Sequence, residues 1–268
     1  MSKRMNTLFV AWQSPTDRSW FTVGELCSHF GRFRFDYTRG ALQARDSGFR
    51  PFSAFPDLYV TYESDRLFPF FGNRLLSKGR REYDDFVRWV SNHERITDPV
   101  ALLAASGGTR VTDSLELFPK PEKDDRGHYH IHFFARGLSY QPAAAARRAE
   151  ELKSGDQLLI MKDVQNPSDN RALMLRTDGQ YERDVYFMGY FPRYLAGDIS
   201  PVLDEARFAP VKVLRVNMPP APIQYRIMCC FQIHPPNGEE FFVGEEFKAI
   251  GSIDQLPRPR RQVSRRRD

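Results

Sequence analysis

Cysteine is scarce, with only Cys27, Cys229 and Cys230 in 268 residues. Two of them are sequence neighbours, which rarely bridge, and none stands at a metal-ligand spacing. A disulfide framework and a cysteine-based zinc site are therefore excluded, and reduced thiols in a cytoplasm are expected. No apolar run approaches the length of a membrane span, so no membrane partner is expected. After Met1-Ser2-Lys3-Arg4 no signal-peptide core is expected either. Catalytic signatures are also missing. The chain has no Gly-rich phosphate loop with a paired Lys, no His-Arg-Asp run and no nucleophile elbow. Asp84-Asp85, Asp124-Asp125 and Glu239-Glu240 lie on polar segments and read as solvated charge. A binding protein without enzymatic activity or cofactor is expected.

Lysine is scarce too, eight against 31 Arg. Arginine suits bidentate contacts to phosphate or carboxylate, and genomic base composition produces the same bias. The net charge of +5 is not spread over the chain. Pro257 to Asp268 hold six Arg and one Asp, which accounts for all of it. Residues 136–256 carry fourteen basic and sixteen acidic groups, and the first 135 carry nineteen and seventeen. The body is thus near neutral, which argues against nonspecific wrapping of a duplex and leaves room for a small local site. The tail, 257–268, is expected to be disordered. It either adds a salt-sensitive, sequence-blind attraction to nucleic acid or simply aids solubility.

What is present suits a folded protein of one large or two small domains, with 41% hydrophobic and 13% aromatic residues. Asn6 to Trp12, Ser19 to Leu26 and Phe33 to Tyr37 read as strands, and Thr38 to Ala44 as a helical turn. Leu67 to Leu76 is the most apolar stretch of this half. Arg81 to Ser91 places Tyr83, Phe86, Val87 and Val90 on one helical face. Asp98-Pro99 opens another helix, closed by Ser106-Gly107-Gly108, and Asp113 to Phe118 reads as a strand. Pro119 to Gly127 is polar and charged, the expected linker.

Beyond it, His128, His130 and His132 alternate with Tyr129, Ile131 and Phe133, so a strand would turn the three His to one face. That pattern fits a solvated face, a pH-dependent anion site or a transition-metal site, although no acidic or Cys neighbour is seen to complete a metal set. Ala143 to Leu152 is good helix sequence, and Gln157 to Met161 begins a strand. Lys162 to Ala196 organises the rest: a strand end, an Asn166-Pro167-Ser168-Asp169-Asn170 turn, a strand at Ala172 to Leu175, a reversal at Asp178-Gly179 and a strand at Val185 to Tyr190. Pro192 opens a short helix, and Ala196 to Ala206 continues as helix broken at Ser200-Pro201. Phe208 to Met218 and Gln224 to His234 read as two further strands, giving a small barrel with short helices.

Gly137-Leu138-Ser139-Tyr140, Asn166-Pro167-Ser168-Asp169-Asn170-Arg171-Ala172 and Gly189-Tyr190-Phe191-Pro192-Arg193-Tyr194-Leu195-Ala196, in that order, resemble the HIRAN domain over residues 128–236. The resemblance implies a nucleic-acid-binding domain that recognises the 3′ end of single-stranded DNA. It implies that Tyr140 stacks a base, Asn166 shapes the loop or meets the terminal nucleotide, and Asp169 accepts from the 3′ hydroxyl. Tyr190 and Arg193 would face the phosphates. Ser168 stands where DNA-binding members carry an aromatic, and Ser139 where they carry a basic residue; Tyr186, Phe187 or Tyr194 are the nearby rings that would compensate.

Phe33 to Tyr37, Leu67 to Leu76 and Leu102 to Phe118 resemble the N-terminal subdomain of HipA-type proteins, without its kinase part. This resemblance implies a protein-interaction surface, as in toxin–antitoxin systems, with a HipA-type kinase as partner. The expected architecture is α+β. It comprises an antiparallel sheet with helices over 1–118, a linker at 119–127, a HIRAN-type small barrel over 128–236, an extension at 237–256 and the basic tail at 257–268. Three readings stay open: DNA-end binder, antitoxin-like regulator whose halves both bind protein, and metal-dependent nuclease using His128, His130 and His132.

Overall fold

A computed structural model describes residues 6–92, 95–110, 112–166, 169, 171–179, 185–203, 210–235 and 240–252. The expected tail lies outside these residues, as do Pro167, Ser168 and Asn170 of the expected turn.

The first half is an antiparallel sheet of β1 (Asn6–Gln13), β2 (Trp20–His29), β3 (Arg32–Tyr37), β4 (Tyr62–Ser64) and β5 (Leu115–Pro119), in the order β4-β3-β2-β1-β5. Four helices accompany it: α1 (Arg39–Gln43), α2 (Pro69–Gly72), α3 (Tyr83–Val90) and α4 (Pro99–Ser106). Helix α4 begins and ends as its residues dictate. Asp98 accepts from the Ala101 N–H at 2.7 Å, and Gly107 takes the left-handed conformation at φ 75°. Phe35, Phe49, Phe55 and Phe71 pack on one face of the sheet with Leu8 and Val10. Phe9, Ala11 and Phe118 point the other way, into the core of the second half. Burial on both faces is why β1 reads as an unbroken apolar run rather than an alternation.

The second half is a six-stranded antiparallel sheet. Its strands are β6 (Tyr129–Phe134), β7 (Gln157–Lys162), β8 (Leu173–Thr177), β9 (Phe187–Tyr190), β10 (Pro210–Val216) and β11 (Ile227–Ile233). They run in the order β6-β11-β10-β7-β8-β9 and curl into a half-barrel. Its two edges meet beyond β6: Arg136 N–H donates to the Tyr190 carbonyl at 2.8 Å and Tyr190 N–H to the Arg136 carbonyl at 2.7 Å. Gly189, at φ 106°, makes that seam possible, because a Cβ there would collide with the Arg136 carbonyl oxygen. Helices α5 (Ala143–Glu151) and α6 (Arg193–Leu203) cover the ends.

Three expectations change. Helix α6 starts after Pro192 and runs through Pro201 to Leu203, since a proline in the last turn removes one hydrogen bond without ending the helix. Strand β11 starts at Ile227, because Ile223–Tyr225 form a 3-10 turn. The expected linker is a hydrogen-bonded turn: Asp124 accepts from the Arg126 and His128 N–H groups, each at 2.9 Å, and Lys123 bridges Tyr129.

Residues 240–252 return to the first sheet. Arg39 N–H donates to the Lys248 carbonyl at 2.9 Å, Arg39 pairs with Glu245, and the Phe247 ring lies 5.2 Å from Phe9. This return holds the first sheet beside the half-barrel and helps to wall the cleft described next.

Candidate functional site

The segment joining β7 to β8 closes on itself. Asp163 N–H donates to the Ala172 carbonyl, Asn166 N–H to Asp163 and Ala172 N–H to Asp169. Asn166 Nδ2 donates to Asp163 Oδ2 at 3.1 Å, and the Tyr190 hydroxyl reaches the same oxygen at 3.0 Å. Burial, then the bond to Asp163, pushes the Tyr190 hydroxyl pKa up, so it stays a donor. Asn166 Nδ2 also lies 3.5 Å from that hydroxyl. Asp169 accepts from the Arg171 N–H at 3.0 Å and from Arg193 Nε at 2.9 Å. Each carboxylate oxygen offers two lone pairs, so both keep capacity for a ligand.

Tyr140 ends a 3-10 turn, Leu138–Tyr140, behind Gly137 at φ 72°. Its side chain is not in the core; the residue is 90% exposed. A Cβ on Gly137 would stand 3.5 Å from the Tyr190 ring and 3.6 Å from the Tyr140 ring, so the two rings flank one point. Tyr140 and Tyr190 thus lie either side of Gly137, and Tyr190 reaches Asn166. Asp169, on this segment, and Arg193, at the start of α6, form a second pair. Of the five expected residues, Asn166 meets Tyr190 and Asp169 meets Arg193, while Tyr140 stands on its own turn; Asn166, Asp169 and Arg193 also serve the local bonding of the loop and α6.

The segment opens on a cleft of about 640 Å³. Its lining includes Asn166, Asp169 and Arg193, Trp20 and Thr22 of β2, and Glu246. Asp198 also faces it, and its pKa is pushed up to about 6, chiefly by burial and further by Glu246. Trp20, Asp198 and Glu246 are distant in sequence from the Asn/Asp turn and carry no motif, so nothing in the sequence points to them. Of the rings expected to compensate for Ser168, Tyr194 is committed elsewhere. Its hydroxyl donates to Glu116 at 3.0 Å and its ring stacks on Phe118 at 4.7 Å.

The histidine strand alternates as expected, with His130 and His132 exposed and Tyr129, Ile131 and Phe133 buried. An acidic neighbour does exist, contrary to the sequence reading. The turn brings Asp124 Oδ2 to 2.9 Å from His130 Nε2. The His128 backbone N–H, then His130, hold the Asp124 carboxyl well below the usual range. Among the described residues no group of three or more His, Cys, Asp or Glu is placed to hold a metal. The three cysteines are free, with Cys27 and Cys229 buried, and no helix among the described residues is long and apolar enough to cross a membrane.

Residues 128–235 match the HIRAN domain family. No curated protein matches the chain. Two solved structures are similar to it. One is a protein from Lactobacillus plantarum, 16% identical, covering 40% of this chain and 96% of that one with a TM-score of 0.31. The other is the HIRAN domain of human HLTF, 16% identical, covering 42% of this chain and 79% of that one with a TM-score of 0.27.

Proposed function

We propose, from the HIRAN domain at residues 128–235, that this chain binds single-stranded DNA and recognises its 3′ end. The observation that supports the reading is an exposed Tyr140 across Gly137 from Tyr190, which reaches Asn166, with Asp169 paired to Arg193 at the start of α6. A base stacks on Tyr140, worth about 1–3 kcal/mol, which matters where the body's charge supplies little affinity. Asp169 accepts the terminal hydroxyl, Asn166 donates to the last nucleotide, and Arg193 brings a positive charge to the nearest phosphate. The tail at 257–268 adds a salt-dependent attraction. The role is binding, not catalysis, and the free thiols fit a cytoplasmic setting. Titration of a labelled oligonucleotide against wild type and Tyr140→Ala tests it: a weaker complex for the variant is expected, and equal affinity, or no binding by wild type, contradicts it.

For the first half we propose protein binding, with a HipA-type kinase as the partner class. Phe30 and Tyr59 are each exposed and offer apolar groups for such a contact. Co-purification of the full chain with such a kinase tests it, and two separate elution peaks at micromolar concentration contradict it.

A further inference from the structure

We infer that the cleft between the two halves receives the terminal nucleoside of the bound strand, and that Trp20, outside the HIRAN domain, is the platform for its base. The inference rests on the DNA-end reading and extends its site into the first half.

A volume of about 640 Å³ lies in the range of small-ligand sites. The chemistry of the walls selects the part of a nucleotide that enters. Asp169, Asp198, Glu246, Arg171 and Arg193 are the charged residues lining the cleft. Arg193 is held by Asp169, and the Arg171 guanidinium lies over α6 at Gly197. With three carboxylates against two guanidiniums, the lining favours the hydroxyls and exocyclic amines of a nucleoside over a terminal phosphate, while Arg193 stays near the preceding phosphate.

Four aromatic residues line the cleft: Trp20, Phe21, Tyr194 and Phe247. Phe247 is buried against Phe9, and Tyr194 is fixed by Phe118 and Glu116. Phe21 packs with the core on the opposite face of the sheet, beside Trp12. Trp20 is half-buried and meets Tyr194 edge-on, with ring centroids 5.6 Å apart and an interplanar angle of 63°. It packs at the margin of the half-barrel core, remains half-buried and lines the cleft. Asn166 joins the two parts of the site, since it lines this cleft and also touches Tyr190, the neighbour of Gly137 and Tyr140. The last base on Trp20 and the preceding one on Tyr140 satisfy both platforms.

The test uses the full chain and a single-stranded oligonucleotide labelled at its 5′ end. Trp20→Ala is expected to weaken binding roughly 5- to 150-fold, the loss of one base–aromatic stack, while Trp20→Phe keeps most of the affinity. A second readout covers a variant that fails to fold. With Trp12→Phe and Trp89→Phe, Trp20 is the sole tryptophan. A free 3′ hydroxyl end should quench its fluorescence, and a 3′-phosphate end should not. Wild-type affinity in folded Trp20→Ala, or no quenching on binding, overturns this inference alone if Tyr140→Ala is weakened. No binding by wild type overturns the DNA-end reading and this inference together.

Discussion

Tyr37 and Tyr140 carry the same side chain into opposite surroundings, one in each half of the molecule. Tyr37 is 1% exposed; its hydroxyl donates to the Phe55 carbonyl at 2.8 Å and accepts from the Phe52 N–H at 2.7 Å. Its ring meets Phe35 edge-on at 5.0 Å, within a cluster that includes Phe55 and Phe71. The half-barrel fills much of its core with aliphatic residues such as Leu158, Leu173, Leu175, Val211 and Val213, and leaves Tyr140 in solvent. An aromatic residue in the first sheet therefore mostly stabilises, whereas the ring at the mouth of the half-barrel is free to meet a ligand. Substitutions should separate the two roles.

The largest effect is expected at Phe35. Phe35→Ala opens a cavity beneath Phe55 and Phe71 and should cost about 3–5 kcal/mol in urea unfolding; a loss under about 1 kcal/mol would mean that the cluster collapses around the gap. Gly189→Ala should come next. It combines a disfavoured φ, costing roughly 1–3 kcal/mol, with a collision at the Arg136–Tyr190 seam, and a thermal melt unchanged from wild type would break the account of how the edges meet. Tyr140→Ala reverses the pattern. Oligonucleotide binding should fall roughly 5- to 150-fold while unfolding stability stays within about 0.5 kcal/mol.

Asp198 gives a smaller, pH-dependent effect. Its folded pKa of about 6 lies above the ordinary 3.8, so above pH 6 the fold carries a buried charge that the unfolded chain solvates better. The penalty is present above pH 6 and fades as pH falls toward 3.8. Asp198→Asn should raise Tm at pH 8 and leave it nearly unchanged at pH 4; the same gain at both values would contradict the assignment. The smallest change is expected from the tail. Deleting residues 257–268 should flatten the salt dependence of single-strand binding by about 0.7 in log–log slope for each Arg that meets a phosphate, and an unchanged slope removes the tail from the interface.

The half-barrel was legible because its signals are local. Alternation in His128 to Phe134 reports one buried face, and the Gly137 and Asn166 segments mark turns whose chemistry the residues carry themselves. The cleft was not legible, because Trp20, Asp198 and Glu246 are brought together only by packing between distant segments. Asp124 beside His130 was hidden in the same way, by a turn that composition marks as a polar linker. The Glu116–Arg136–Tyr194 cluster was hidden too, since each residue alone reads as a surface group, yet the Glu116 side chain is 8% exposed. Periodicity reports that a side chain is buried, not which segment covers it.

The central claim is most directly tested by competition between two otherwise identical oligonucleotides, one ending in a 3′ hydroxyl and one in a 3′ phosphate, for the full chain at physiological salt. The hydroxyl end should displace the phosphate end, because the Asp169 carboxylate accepts a hydrogen bond from the first and repels the second. Equal competition by the two ends would contradict it.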